Sequence, residues 1–216
     1  MRTFFRPSSE AAAAALRRRS AAALLAAVLA GCAALGGGGE PTYFETLSAW
    51  TKGRKIYEEL ESRLYIYATY KSPAFRRAYV DEYARRFLLD DDLKAVMVQR
   101  ELEAAERSNE FLVSAFTPDE RWNDFDRRDS IWRLYLDDGS ARVEPIEIRR
   151  LDGGNPLLTE LFPYIDPWSV VYLVRFPRYG PAGEGPIPGK GAAALKLIVA
   201  GAKGGGELLW TLKEGE

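Results

Sequence analysis

Turn-forming residues recur every few positions after Asn109, and this spacing restricts the second half of the chain to short strands. Asp137-Asp138-Gly139-Ser140 and Lys203-Gly204-Gly205-Gly206 are typical of tight turns. Pro177–Gly191 is so rich in glycine and proline that we expect a loop there. The β-rich segments between these breaks are Glu110–Phe116, Ile131–Leu136, Arg142–Arg150, Trp168–Phe176, Leu195–Ala200 and Glu207–Leu212. Several short strands separated by turns are typical of an antiparallel sandwich.

An aromatic strand lies earlier in the chain. Between Arg63 and Lys71 the side chains alternate with a period of two and are rich in aromatic and β-branched types, which predicts a strand. Gly53–Glu59 is a suitable partner strand across a turn near Leu60–Ser62. Two interpretations of the preceding Thr42–Thr51 remain: a short helix opened by a capping box with Glu45, or an extended lead-in to the strand.

A pair of helices follows the aromatic strand, at roughly Pro73–Leu89 and Asp91–Arg107. Ser72 is a good N-cap, and proline is tolerated at the first helical position. An aromatic stripe with a spacing of four runs down one face of the first helix: Phe75, Tyr79, Tyr83 and Phe87. Asp90, Asp91 and Asp92 then suit the start of a second helix, because acidic side chains favour the helix N-terminus.

These patterns predict an α+β fold whose core is an antiparallel, immunoglobulin-like β-sandwich with a helical insertion at about residues 73–107. We expect a large aromatic core, because the chain has five tryptophans after the first 40 residues. These tryptophans are Trp50, Trp122, Trp132, Trp168 and Trp210.

The absence of histidine narrows the possible chemistry. Without histidine, the Ser-His and Cys-His nucleophile pairs and imidazole metal ligands are excluded. Carboxylates, tyrosine and backbone oxygens favour hard cations over zinc or copper. We therefore expect no cofactor and no transition-metal site.

The single cysteine follows an export-type N-terminus. Arg17, Arg18 and Arg19 precede an apolar run from Ala21 to Leu29, which is the pattern of a signal peptide. The sequence Leu29-Ala30-Gly31-Cys32 resembles the lipobox of bacterial lipoproteins. That resemblance implies cleavage between Gly31 and Cys32 and attachment of acyl chains to the Cys32 thiol.

Three further expectations depend on this resemblance. Residues 1–31 would be the signal peptide, residues 32–41 a flexible tether and residues 42–216 a single domain. The protein would be held at a membrane through Cys32, with Ala33 at the sorting position implying the outer membrane, facing the periplasm. The alternatives are a transmembrane helix, for which the 15 residues from Ala21 to Leu35 are short, or an ordinary secretory signal with a chance cysteine.

The charge of the processed chain argues against nucleic-acid binding. The first 31 residues hold five arginines and one glutamate, so removing them changes the formal charge from −1 to −5. Nucleic-acid binding needs a basic surface that displaces counterions. We expect an envelope protein as partner instead.

The most polar connection between strands is the candidate ligand loop, residues 119–129. Its proposed ligand residues, close to Asp119 and Glu120, are Trp122, Asp124, Asp126 and Asp129. Aromatic faces beside carboxylates suit sugars, and several oxygens could bind calcium. The alternative is a solvated loop in which Arg127 and Arg128 pair with neighbouring acids.

The sequence thus favours a non-enzymatic, lipid-anchored binding or assembly module of the bacterial envelope. The second hypothesis is a carboxylate-based protein that binds or cleaves glycans, because glycoside hydrolysis by paired carboxylates needs no histidine.

Overall fold

The described part of the chain begins with a short helix that a capping box starts. The computed structural model describes residues 40–180 and 185–212, and the chain from Pro41 onward forms one compact unit. The Thr42 hydroxyl accepts a hydrogen bond from the Glu45 amide, and the Glu45 carboxylate accepts one from the Thr42 amide. The helical interpretation of this segment is confirmed. The lipobox and residues 32–39 of the expected tether lie outside the described residues.

The remaining elements lie close to the predicted positions. We number the first helix α1 (Tyr43–Trp50). Within the described residues it is followed by β1 (Thr51–Glu58), β2 (Glu61–Tyr70), α2 (Pro73–Phe87), α3 (Asp91–Arg107), β3 (Ser108–Phe116), a 3-10 turn (Glu120–Trp122), β4 (Trp132–Asp137), β5 (Arg142–Val143), β6 (Glu147–Arg150), α4 (Pro156–Leu161), β7 (Val170–Pro177), β8 (Ala194–Gly201) and β9 (Gly204–Thr211). Ser72 and Asp90 cap α2 and α3 as expected.

The fold is α+β with two antiparallel sheets. One sheet has the order β1-β2-β3-β7-β6 and the other the order β5-β4-β8-β9. The sheets share a core: the Trp210 ring of β9 lies 6.4 Å from Tyr70 of β2 and 5.4 Å from Phe111 of β3. Apolar burial between the sheets stabilises the domain.

The prediction of a single strand at Arg142–Arg150 is wrong. The structure divides it at Glu144-Pro145-Ile146 into β5, which pairs with β4, and β6, which pairs with β7 in the other sheet. Proline has no amide hydrogen for a strand ladder, and it holds the preceding residue extended. Pro145 therefore lies where the chain crosses from one sheet to the other.

The helices cover the second face of the five-stranded sheet. Phe75 of α2 is fully buried against Tyr43 and Phe162, whereas Phe87 at the end of the same stripe is half exposed. Only the first part of the aromatic stripe therefore belongs to the core. None of the helices in the described ranges has the length and apolar character needed to cross a bilayer.

An ionic cluster joins these helices to the sheet. The buried Glu110 carboxylate of β3 lies 2.5 Å from Lys71 Nζ, 2.8 Å from Arg175 Nε and 3.5 Å from Arg76 Nη2. Arg76 of α2, which is 1% exposed, also pairs with Glu101 of α3. Since each of these buried charges has an opposite charge beside it, the cluster fixes α2 and α3 over β3 and β7.

Candidate functional site

A broad concave region of the described chain lies at one end of the five-stranded sheet. A cavity of about 640 Å³ opens where β3 ends and β7 begins. It lies between the loop after β3 and the turn before β7 that contains Trp168. Cavities of about 320 and 440 Å³ adjoin it, sharing Arg150 and Pro167 on one side and Pro118 on the other. We call this surface the end groove. Its main lining residues are Pro118, Glu120, Arg150, Pro167 and Trp168.

The loop between β3 and β4 forms one wall of the end groove, and hydrogen bonds of Asn123 to β3 and β7 fix it to the sheet. The buried Asn123 side chain donates to the Ala115 carbonyl at 2.7 Å. Its carbonyl oxygens accept from the Tyr172 hydroxyl, at 2.8 Å for the backbone and 3.1 Å for the side chain. Phe125, two residues on, is buried against Trp132 and Tyr172. The loop is thus packed into the end of the core.

The carboxylates of the candidate ligand loop have different surroundings. Asp124 accepts a hydrogen bond from Ser130 at 2.7 Å, while Asp126 and Asp129 are exposed. Asp119 forms an ion pair with Arg121. In residues 40–180 and 185–212, no three acidic side chains converge as a metal site would require. The described residues therefore hold no metal-type grouping of Asp124, Asp126 and Asp129, and their role as residues that bind another ligand stays a prediction.

Trp122 is half buried, and both its backbone and its ring contact other residues of the protein. Its carbonyl accepts a hydrogen bond from Trp132 Nε1 at 2.8 Å. The Lys203 ammonium lies 4.6 Å from the centre of its ring, which is a cation–π distance. Of the predicted ligand residues, Trp122 alone lines part of the end groove, in the cavity beside Pro118.

The expectation that Trp168 belongs to the core is wrong. The strand begins at Val170 rather than Trp168, and the indole is 79% exposed. Asp166 holds the preceding turn, because its carboxylate accepts a hydrogen bond from the Trp168 amide at 2.8 Å. Because its backbone is part of this turn, Trp168 does not follow the in-and-out alternation of side chains along β7. Its side chain therefore lies at the groove and not in the core.

The groove offers binding chemistry of mixed charge. Glu120 and Arg150 are exposed and line the same cavity as Trp168. Asp119 lies in the adjoining cavity, and Arg121 holds the pKa of its carboxyl below the ordinary value. A general acid for glycoside cleavage needs a raised pKa, which is the opposite direction.

Sequence reasoning missed Arg150, Pro118 and the position of Trp168. The available signal was Asp166-Pro167, a turn-forming pair placed directly before an apolar run. Arg150 carries no such signal, because only the pairing of β6 with β7 brings it to this end of the sheet. Comparison of the chain with protein-family models, with curated proteins and with solved structures found no match in any of the three.

Proposed function

We propose that the protein is a lipid-anchored module of the bacterial envelope that binds a partner protein through the end groove. The observation that carries the proposal is Trp168, whose large apolar side chain is 79% exposed at the wall of a cavity of about 640 Å³. Tryptophan is enriched among the residues that dominate binding energy at protein interfaces.

Other features of the same end support a protein as the ligand. Leu60, at the tip of the β1–β2 hairpin, is 98% exposed and lines the cavity that shares Pro118 with the groove. Glu120 and Arg150 supply opposite charges around the apolar residues. An apolar centre with a mixed polar rim is the usual composition of a transient protein interface.

The proposal includes the anchor and the class of sandwich. Lipidation at Cys32 and outer-membrane location depend on the lipobox resemblance. An immunoglobulin-like sandwich is supported by the aromatic core that the two antiparallel sheets share. An experimental structure tests that class, since its strand connections can be compared directly with the Greek-key order of immunoglobulin domains.

The anchor is tested by substituting the acylated atom. Cys32→Ser removes the thiol, so the variant should no longer incorporate labelled fatty acid and should no longer be cleaved before residue 32. Ala34→Ser, two positions away, is the matched control and should behave as the original chain. A Cys32→Ser protein that still carries label and stays in membranes overturns the lipobox interpretation.

The partner surface is tested by site-specific photo-cross-linking in intact cells. A photoreactive residue at position 168 should give a discrete cross-linked species, whereas one at Leu209, exposed on β9, should not. The species formed from position 120 should disappear when Trp168→Ala is added. Equal cross-linking from positions 168 and 209, or no effect of Trp168→Ala, contradicts the proposal.

Glycan binding is the second candidate, because an exposed tryptophan beside Glu120 and Arg150 also suits a sugar face. Sedimentation with purified envelope glycan distinguishes the two functions. Retention of the protein on the glycan, lost in Trp168→Ala, would favour the glycan. Release of sugar that stops in Glu120→Gln would favour cleavage.

A further inference from the structure

A second concave site lies at the opposite end of the five-stranded sheet from the end groove. It occupies about 350 Å³ and is lined where β2 ends, where β3 begins and just after β7 and β9. The contributing residues at these four points are Tyr70, Ser108, Arg178 and Leu212. We call this site the basic cleft. Its volume is within the usual range for small-ligand sites, about 300–1,000 Å³.

The lining of the basic cleft is mostly apolar and includes two rigid aromatic residues. Trp50 and Tyr70 contact each other edge to face with their ring centres 5.7 Å apart, and both are more than nine-tenths buried. The Trp50 carbonyl is held by Trp210 Nε1 at 2.7 Å. The cleft walls are completed by Pro73, Ala74, Ala105, Pro188 and Leu212. An apolar ligand group would therefore contact a preformed surface.

Two guanidinium groups also line the cleft. Arg178 Nη1 donates to the Ile187 carbonyl at 2.7 Å and to Asn109 Oδ1 at 3.3 Å, so the side chain is held in place by uncharged acceptors. Arg77 lies in the first turns of α2 and is exposed. Among the residues that the structure describes, no carboxylate lies within 4 Å of either guanidinium. Lys71, by contrast, lines the cleft but pairs its ammonium with Glu110.

Among the described residues, one acidic residue lines the cleft and limits the negative charge that a ligand can carry. Glu106 of α3 stands on the wall formed by the helix, where it opposes a second negative charge on a ligand. Lys71 is already paired with Glu110. The other charged residues of the described lining, Arg77, Arg178 and Glu106, sum to a net charge of about +1, which suits a monoanion.

We propose that the basic cleft binds a small amphipathic carboxylate, whose apolar body packs on Trp50 and Tyr70 and whose carboxylate pairs with Arg77 and Arg178. Arginine suits this role, because its planar fork matches a carboxylate with two parallel hydrogen bonds. The site is separate from the end groove, so the inference does not depend on the partner-protein proposal.

The test measures binding of 4-fluorophenylacetate by fluorine NMR. The protein is the compact unit from Pro41 onward, so that neither an attached lipid nor the apolar N-terminal run competes for the probe. The acid should bind saturably and at least about tenfold more tightly than the neutral amide 4-fluorophenylacetamide, a difference of about 1.4 kcal/mol. Absence of saturation up to 5 mM acid, or equal binding of acid and amide, overturns the proposal.

Matched variants locate the site. Arg77→Gln should weaken binding of the acid at least about fivefold, because a charge-assisted contact is lost, and should leave the amide unaffected. Arg100→Gln, exposed on α3 and outside the cleft, is the charge control. Ala74→Phe should block the cleft for both probes, whereas Ala95→Phe, exposed on α3, should not. Trp168→Ala should leave both affinities unchanged, and loss of binding there would place the probe in the end groove instead.

Discussion

The Trp210 indole donates a hydrogen bond from Nε1 to the Trp50 carbonyl at 2.7 Å, across 160 positions of sequence. This bond ties β9 of the four-stranded sheet to the C-terminal end of α1, where β1 of the other sheet begins. The buried indole nitrogen is thereby satisfied, which a buried donor requires. The same ring packs on Phe111, so one side chain joins α1 and both sheets.

Alanine substitutions should distinguish the buried tryptophans of the core from the exposed Trp168 of the end groove. Trp210→Ala and Trp132→Ala, each only 1% exposed, should lower the free energy of unfolding by about 3–5 kcal/mol, because each leaves a large cavity. Trp168→Ala serves as the exposed control and should cost less than about 0.5 kcal/mol. Urea unfolding followed by circular dichroism measures all three. A loss above 2 kcal/mol for Trp168→Ala would mean that the side chain is packed.

The Glu110 cluster should make stability depend on acid pH. Burial by itself would raise the pKa of Glu110, but Lys71, Arg175 and Arg76 outweigh it and lower the pKa to about 2. A carboxyl with a depressed folded pKa contributes stability above its unfolded pKa, about 4.3, and loses it as pH falls toward 2. Stability should therefore decline over this window.

The matched pair for the cluster is Glu110→Gln and Glu106→Gln. Glu110→Gln should cost about 3–5 kcal/mol at neutral pH, because three cations lose their buried partner. It should also flatten the dependence on pH between about 4.3 and 2. Glu106→Gln, exposed on α3, should change neither quantity. An unchanged acid slope in Glu110→Gln contradicts the assignment.

Gly201 is required for close packing at the end of β8. A Cβ atom added there would lie 2.5 Å from the Ile131 carbonyl oxygen and 2.5 Å from a Trp132 ring carbon. We expect Gly201→Ala to lower thermal stability by about 1–3 kcal/mol through overpacking. Gly153→Ala has its nearest neighbour at 3.8 Å and should be nearly neutral. Equal melting temperatures for the two variants would show that the backbone of β4 can move aside.

Under the proposed lipidation of Cys32, the following residue, Ala33, should decide between inner and outer membrane. The lipobox resemblance implies delivery to the outer membrane with Ala33, and retention at the inner membrane when an aspartate takes that place. Ala33→Asp should therefore move the protein to the inner-membrane fraction of a sucrose gradient. Ala33→Ser is the control. An original chain already found in the inner membrane contradicts this expectation.

Calcium should not bind tightly to the candidate ligand loop. Asp124 accepts a hydrogen bond from Ser130 and Asp119 pairs with Arg121, and within the described ranges no three acidic side chains form a metal-type group. Calorimetric titration should show no dissociation constant tighter than about 10 μM. A tighter constant that is lost in Asp124→Ala with Asp126→Ala would reverse this conclusion.

The sequence alone determined much of the local structure. The N-caps at Ser72 and Asp90 and the alternation of β2 were predicted, because caps and side-chain periods depend on neighbours within a few residues. The capping box at Thr42 favoured a helix but left the extended alternative open. The predicted helices agree with α2 and α3 to within two residues.

Only the tertiary structure decided what the local pattern leaves open. Arg142–Arg150 was predicted as one strand, but its two halves pair with strands from different sheets. Trp168 and Trp210 are the same residue type in β-rich surroundings, yet one is exposed and the other is in the core. Burial depends on which distant segments pack together, and a single sequence contains no direct record of those contacts. The end groove and the basic cleft also depend on such long-range packing, because each brings together residues from at least three separate segments.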